Sequence, residues 1–579
     1  MIKVENFSFS YADKELYNDI SFEIEENNHY GLIGTNGSGK STLISIILDP
    51  EDYMFDGKIS IQSDIRIGYI SQFIDISLDE HMTVFEYIGQ LQIAYREKLI
   101  KMEHNMATCD NLDELLEEYQ KQLDEYELIG GDEFYSTIDK KLNIASLFYL
   151  KDKKLSYLSG GEFKLIQLLK EMILQPDVII MDEPDAFLDF SNMESLRNII
   201  NAYKKTLVVI THNRYILNHC FNNILSLEDG KMDQFDGNYI QYSFEMLGRK
   251  IEDMELSIAD ELEIERNEGL VERLRELATL SDDYKKGNAL KSRVKLLERL
   301  KKAKHQSPYV DTKMIDMQIY SQNRFSNESI VKVDNYSKSY ESILLEDVSF
   351  EIKAKEKVAL IGANGIGKTS LLRDINQNKN KSIIVNELAI IAYLSQTQGE
   401  TLNENNTVLN EFLDIGFTSK DVITRYLCKF HFDEWIIEKK ISSLSGGEKN
   451  LIQLAKVNYT NPDLLLLDEP TSHLDLYSQL SLEKALKSYD GSVIMVSHDY
   501  YMIINTMDYV LMIVDKKIKK LHIDTFKSMI YTKHYDKRYI KLEETKKVLE
   551  TKIAFALEQE NFEEAKLVYE RLALHLKNY

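Results

Sequence analysis

Two lysines sit at the end of glycine-rich runs whose spacing suits the gripping of phosphate. Gly34, Asn36, Gly37, Gly39, Lys40, Ser41 and Thr42 are matched in order by Gly362, Asn364, Gly365, Gly367, Lys368, Thr369 and Ser370, and both runs read GxxxxGK[ST]. The glycines let the turn wrap a phosphate with backbone N–H groups, where a side chain would block the approach. Lys40 and Lys368 then supply a cation for the β- and γ-phosphates of a nucleotide, and Ser41 and Thr369 a hydroxyl for Mg²⁺. Each run follows a strand-like segment and precedes an apolar helical one, which places the phosphate at a helix N-terminus.

Carboxylates come next. Asp182 and Asp468 end apolar runs, Val178–Met181 and Leu464–Leu467, that read as buried parallel strands. Each carboxylate therefore emerges at the C-terminal edge of a sheet, where open α/β sheets bind ligands, and can hold Mg²⁺ through water. The adjacent Glu183 and Glu469 are placed to orient or deprotonate an attacking water. A third element, Ser159-Gly160-Gly161 and Ser445-Gly446-Gly447, opens an amphipathic helix in each copy and is a second N-terminus able to present N–H groups and a hydroxyl to phosphate.

With these motifs in this order the sequence resembles the ATP-binding cassette family. The resemblance implies an α/β fold of two tandem ATP-binding cassette (P-loop NTPase) domains joined by a long α-helical hairpin linker, with ATP and Mg²⁺ as cofactors. It further implies that Gln72 and Gln396 are metal-contacting Q-loop residues, Asp189 and Asp475 D-loop residues, His212 and His498 switch histidines at the γ-phosphate, and Tyr11 and Tyr340 adenine-stacking residues. In the family each serine-glycine element completes the site of the opposite cassette. One site would thus join Lys40, Ser41, Gln72, Asp182, Glu183 and His212 to Ser445 and Gly447, and the other Lys368, Thr369, Gln396, Asp468, Glu469 and His498 to Ser159 and Gly161. The first copy departs from the pattern, with Asp185, Ala186 and Phe187 where the second has Thr471, Ser472 and His473, and Asn213 where the second has Asp499.

The elements that must position these residues come in two copies. Matched residues are 328 apart at the lysines, 324 at Gln72 and Gln396, and 286 from Ser159 and Ser445 onward, so the first copy holds 38 extra residues before its serine-glycine element. The surplus, about 86–135, has apolar residues at helical spacing and fits either a helical arm or a longer helical subdomain. The expected organisation is a first cassette at 1–238, a linker at 239–325, a second cassette at 326–528 and a helical extension at 529–579.

The linker reads as a helix to about Leu280, a turn at 281–288 with Asn288 capping the return helix, and that helix from Ala289 to about Lys304. Residues 240–280 carry 11 acidic and 5 basic side chains, and residues 281–305 carry 3 and 9. The basic stretch fits a nucleic-acid contact or, equally, a helix whose charge its acidic neighbour neutralises. The whole chain, at a net charge of -25, does not have the character of an indiscriminate nucleic-acid binder.

Three scattered cysteines, Cys109, Cys220 and Cys428, form no CxxC pair and read as small buried residues rather than a disulfide framework or zinc site. No apolar run reaches membrane-spanning length and the start alternates like a strand, so the expectation is a cytoplasmic protein without a transmembrane segment.

Two cassettes, the hairpin linker and Asp236-Gly237-Asn238-Tyr239 leading into it resemble the ABC-F group of translation factors. That resemblance implies a monomer with an intramolecular cassette dimer that binds the ribosomal exit site in its ATP-closed state. The linker, through 279–305, would reach 23S rRNA and the P-site tRNA toward the peptidyl-transferase centre. The irregular first D-loop and modest arm fit the antibiotic-protection branch. A housekeeping translation factor, or an ATPase subunit of a membrane transporter, are the alternatives.

Overall fold

The structure is a computed structural model that describes residues 1–11, 14–71, 81–106, 112–186, 188–279, 284–303, 314–322, 324–340, 343–534 and 537–577. Gln72, Phe187 and Cys109 lie outside the described residues. The chain divides into two compact units, Met1–Tyr239 with Asp316–Phe526, and Ile240–Ile315 with Lys527–Tyr579.

The first unit contains both cassettes. Each is built on a six-stranded sheet, in the first copy ordered Ile67–Ile70, Val178–Asp182, Thr206–Ile210, His29–Ile33, Asn223–Glu228 and Lys231–Asp236, with every pair parallel except the last. The second repeats it with Ile391–Leu394, Leu464–Asp468, Ser492–Val496, Lys357–Ile361, Tyr509–Val514 and Lys517–His522. Val178 to Met181 and Leu464 to Leu467 are all fully buried. Strands covered on both faces need such unbroken apolar runs. Their last residues pair as Asp182 with Ile210 and Asp468 with Val496, which puts both aspartates on the same sheet edge as the glycine loops. A three-stranded antiparallel sheet accompanies each copy.

The surplus residues of the first copy form an antiparallel helical hairpin, Gln90–Met106 against Leu112–Leu128. Its pairing is fixed by polar contacts across the seam: Tyr95 Oη to Glu125 at 3.1 Å, Lys98 Nζ to Gln122 at 2.9 Å and Tyr119 Oη to Glu103 at 2.7 Å. Few of its side chains are buried, Leu99, Met102 and Tyr126 among them, whereas Ile100, Leu116 and Leu128 are exposed.

In the second unit one helix runs Tyr239–Thr279, 41 residues, or about 60 Å at the α-helical rise. The return helix starts at Tyr284, not after a cap at Asn288. Lys285 and Lys286 are good helix formers, and a helix tolerates Gly287 at a cost of about 1 kcal/mol, so residues 284–288 of the expected turn are drawn into the helix, while 281–283 lie outside the described residues. The return helix donates from Arg293 Nη1 to Asn267 at 3.3 Å and pairs Lys301 with Glu268 at 2.6 Å. Lys291, Lys295, Arg299 and Lys302 stay exposed.

The tail belongs to this unit. Helices Lys537–Glu558 and Phe562–Lys577 pack Ile553, Ala556, Leu557, Val568 and Leu572 on Ile251 of the long helix. Tyr569 stacks on Phe244, with centroids 4.2 Å apart and planes 1° from parallel. Gly248 makes room for that ring, since a Cβ there would lie 2.4 Å from Tyr569 Oη.

The chain rejoins the cassette unit at Asp316, earlier than the expected boundary at 326. Met317, Ile319 and Phe325 alternate into burial, and Arg324 pairs with Asp463 at 2.6 Å, so this stretch is part of the second cassette's packing. Cys220 is buried as expected, but Cys428 is exposed. Among the described residues no helix is long and apolar enough to cross a membrane.

Candidate functional site

The glycine loops have the backbone their composition allows. Gly39 and Gly367 hold φ of 96° and 99°, the left-handed region, as N-caps of Lys40–Leu48 and Lys368–Gln377. A Cβ on Gly34 would lie 2.2 Å from Leu227 O, so the loop lies directly on the neighbouring strand. Lys40 Nζ donates to Gly34 O and Thr35 O, and Lys368 Nζ to Gly362 O and Ala363 O, which folds each ammonium over its own loop. Both lysines are buried, and burial lowers their pKa from the usual lysine range.

Each proposed base follows its strand in a strained conformation. Glu183 and Glu469 have φ of 47° and 49°, in the left-handed region that only a glycine enters freely. Their N–H groups donate at 2.9 Å to Ile210 O and Val496 O, so the sheet ladder holds the strain in place. Burial pushes the Glu183 carboxyl up to about 7, with Asp185 and Asp182 adding to it and Lys40 and Lys164 opposing. Burial likewise pushes Glu469 up to about 8 against the pull of Lys368, and Asp468 up to about 6. His212 and His498 are driven down to about 3 by burial, with Lys40 and Lys368 as the second cause. Both imidazoles are therefore neutral at physiological pH and able to accept or donate one hydrogen bond at each nitrogen.

The two cassettes face each other head to tail. Asn36 N donates to Asp475 Oδ2 at 2.9 Å, and Asn36 Nδ2 to His473 O at 2.7 Å. Across the pseudo-twofold, Asn364 N donates to Asp189 Oδ2 at 3.3 Å. Each aspartate thus reaches the opposite glycine loop while its Oδ1 caps its own helix, through Ser478 N at 2.8 Å and Asn192 N at 2.9 Å. Gly447 abuts Asn36 so closely that a Cβ would lie 2.6 Å from Asn36 Nδ2. Ser159 and Ser445 are N-caps in reciprocal boxes with Glu162 and Glu448, and Gly160, Gly161, Gly446 and Gly447 start the helices Gly160–Ile173 and Gly446–Thr460.

A cavity of about 540 Å³ lies at the second site, lined by Tyr340, Asn364, Gly365, Gly367, Lys368, Thr369, Ser370, Gln396, Asp468, Glu469 and His498. From the first cassette it takes Glu183, Asp185, Leu188, His212 and Asn213; Ser159 and Gly161 are not in its wall. The polar atoms turned to the two sites include Asp468 Oδ1 and Oδ2, Glu469 Oε1 and both ring nitrogens of His212 and His498, all buried and without a hydrogen-bond partner among the described residues. Buried groups of this kind are satisfied by a ligand or by water. Thr369 and Asp468 offer hard oxygen donors, the chemistry Mg²⁺ takes, and Tyr340, 65% exposed, presents a face for a base. Tyr11, 53% exposed, stands beside Phe9 in the first copy.

The structure adds residues that motif reading passed over. Lys164 is buried in the helix after Gly161 and donates from Nζ to Glu183 O at 2.7 Å, and Asp185, its acidic neighbour, is partly buried with its Oδ1 enclosed. The second copy has neutral Asn450, whose Nδ2 donates to Pro470 O and Ser472 O, and Thr471. This paired exchange was the available signal. Arg214, which reaches Glu483, is another, and His473, already set apart in sequence, holds φ of 61°.

A sheet edge carrying a glycine loop, a paired Asp-Glu and a buried histidine, present twice and apposed head to tail, defines a tandem ATP-binding cassette ATPase. The family model described as "ABC transporter" matches residues 17–186 and 345–472. The chain is 29% identical over 536 residues to ABC transporter F family member 5 of Arabidopsis thaliana, covering 89% of this chain and 75% of that protein. It is 27% identical over 523 residues to the energy-dependent translational throttle protein EttA of Haemophilus influenzae, covering 86% and 89%. An archaeal ribosome recycling factor, aABCE1, solved with the stalk protein aP1, shares the fold at a TM-score of 0.51 and 17% identity, over 91% of this chain and 92% of that one. The chain belongs to the ABC-F family of ATP-binding cassette ATPases.

Proposed function

We propose that this protein clamps two ATP–Mg²⁺ between its cassettes, hydrolyses both, and uses the cycle to bind and leave the ribosome. The observation that carries the reading is the reciprocal reach of Asp475 to Asn36 N and Asp189 to Asn364 N, because it joins each nucleotide loop to the opposite cassette. At the first site Lys40 and the loop N–H groups bind the phosphates, Ser41, Asp182 and Gln72 hold the metal, and Glu183 accepts the proton of the attacking water. At the second, Lys368, Thr369, Asp468, Gln396 and Glu469 do the same. His212, buried, and His498, largely buried, are neutral and donate to the γ-phosphate. Bound Mg²⁺ would supply positive charge to offset that developing on the transferred phosphoryl group. Ser445 with Gly447, which abuts Asn36, would complete the first site, and Ser159 with Gly161, which stand outside the cavity wall, would close onto the second.

A carboxyl pushed up to about 7 or 8 is matched to its task, since a base near the working pH takes a proton efficiently. The ribosomal part of the proposal rests on the likeness to EttA, whose name assigns it to translation, and on the exposed Lys291, Lys295, Arg299 and Lys302 of the return helix. These would meet phosphates of 23S rRNA or the P-site tRNA at the exit site, with the linker tip toward the peptidyl-transferase centre. Protection of the ribosome from bound antibiotics is the specific outcome proposed. Co-sedimentation tests the reading: with Glu183→Gln and Glu469→Gln combined, ATP should drive the chain into the ribosomal pellet, and a chain left in the supernatant refutes it. Drug tolerance that survives deletion of 279–288 would refute the protective role.

A further inference from the structure

Arg214 sits two residues after His212, at the start of the helix Arg214–Cys220, and is 9% exposed. It crosses to the second cassette, where Nη1 donates to Glu483 Oε2 at 2.8 Å and Nη2 to Asp499 Oδ2 at 3.4 Å. Its guanidinium lies 5.1 Å from the centre of the Tyr501 ring, and Tyr501 Oη accepts from Asn218 of the first cassette at 2.8 Å. Glu483 is held from its own side by Asn505 Nδ2 at 2.6 Å. Burial opposes the charge on Arg214, but Asp499 and Glu483 outweigh it and hold the group firmly protonated.

The pair leads to the second site's base. Asp499 caps the helix Tyr500–Thr506 through Met502 N at 3.0 Å, and the residue before it is His498. His498 N donates to Glu469 Oε2 at 3.3 Å, and its Nε2 lies 3.5 Å from Glu469 Oε1. The order is therefore Arg214 of the first cassette, Asp499, His498 and Glu469 of the second.

No such charge pair is encoded on the other side of the pseudo-twofold. At the interval of 286, Arg214 corresponds to Tyr500, Asp499 to Asn213 and Glu483 to Arg197. The mirror position thus holds a phenol, an amide and a cation, and Arg197 donates within its own cassette, to Tyr215 Oη at 2.8 Å. Desolvating a guanidinium is tolerated only where carboxylates compensate, and they are supplied on one side alone.

We infer that Arg214 is a positioning residue by which the first cassette seats the His498–Glu469 pair, so that hydrolysis at the second site, and not at the first, requires the first cassette in place. The inference rests on Glu183 and Glu469 being the two bases. It explains why Asn213 and Arg214 in one loop stand where the other has Asp499 and Tyr500.

The test is phosphate release in a single turnover of ATP on the full chain, with Glu183→Gln and Glu469→Gln assigning one phase to each site. Arg214→Gln should slow the second-site phase about tenfold, leave the first-site phase within twofold, and leave the ATP concentration for half-saturation unchanged. Arg214→Lys, which keeps the charge, should restore most of the rate. Asp499→Asn supplies a variant that keeps its helix cap, since Asn213 caps the equivalent helix through Tyr215 N at 2.9 Å, and should reproduce the selective loss. Equal slowing of both phases, or of neither, overturns the inference while leaving the two-site reading standing. If the two Gln variants fail to remove one phase each, the two-base reading falls and the inference with it.

Discussion

Replacing Asp475 by Asn separates the two tasks of one carboxylate. Oδ1 caps the helix Leu476–Ser488 and Oδ2 takes the Asn36 N–H of the opposite cassette. An amide has a single acceptor oxygen, so it can serve one of these donors and must turn its NH₂ toward the other. The cap lies within its own cassette and is present whether or not the cassettes meet, so the amide oxygen stays there and a donor faces a donor across the interface. A hydrogen bond to a charged acceptor contributes about 1.5–3 kcal/mol, more than a neutral one, and Asp475 is 7% exposed, where water screens little. Since about 1.4 kcal/mol is tenfold in an equilibrium, closure should weaken by about ten- to a hundredfold. Asp189→Asn should weaken it less, because the bond from Asn364 N is longer, 3.3 Å against 2.9 Å. Closure can be read by energy transfer between a label on Cys428, which is exposed, and one on a cysteine introduced at Met54, 96% exposed, with Cys109 changed to Ser. The melting temperature should hardly move, since the cap survives. An Asp475→Asn chain that closes at the native ATP concentration would refute the reasoning.

Three further outcomes follow from the same structure. Glu469, with a folded-state value near 8 against about 4.5 unfolded, keeps its proton in the folded chain while the unfolded chain has lost it. Stability contributed by that proton is present below about pH 4.5 and is lost as pH rises through 8, so Glu469→Gln should raise the melting temperature of the nucleotide-free chain more at pH 9 than at pH 5, as calorimetry would show. Gly248→Ala should destabilise the helical unit by about 1–2 kcal/mol despite alanine's better helix propensity, because the methyl meets Tyr569, and Tyr569→Phe should recover part of the loss in denaturant titration. Changing Lys291, Lys295, Arg299 and Lys302 together to Gln should weaken ribosome binding and flatten its dependence on salt, measured by co-sedimentation across a salt series.

Much of the candidate site was legible because it is local. The glycine loops, the Asp-Glu pairs and the serine-glycine elements are each continuous in sequence, and the unbroken apolar strands at 178–182 and 464–468 are enough to place the carboxylates on one sheet edge. What motif reading missed depends on distance along the chain. Arg214 and Glu483 are 269 residues apart, and only the fold shows that a residue type exchanged between copies answers a partner in the opposite copy. Lys164 read as one polar position on an amphipathic helix, whereas it is buried and donates to Glu183 O. The return helix began earlier than expected because weak turn signals, one glycine and one asparagine, yielded to flanking helix formers. The start of the second cassette was placed late for the opposite reason: Met317 and Ile319 alternate like a strand but carry no motif, so their burial became visible only in the packing.

The proposed function requires that two nucleotides be held at once between the cassettes. The direct measurement is the amount of radiolabelled ATP that stays with the chain through rapid gel filtration when Glu183→Gln and Glu469→Gln are combined. Two molecules of unhydrolysed ATP per chain are expected, falling together when Asp475→Asn is added. One per chain, or two that are retained unchanged in the added presence of Asp475→Asn, would contradict it.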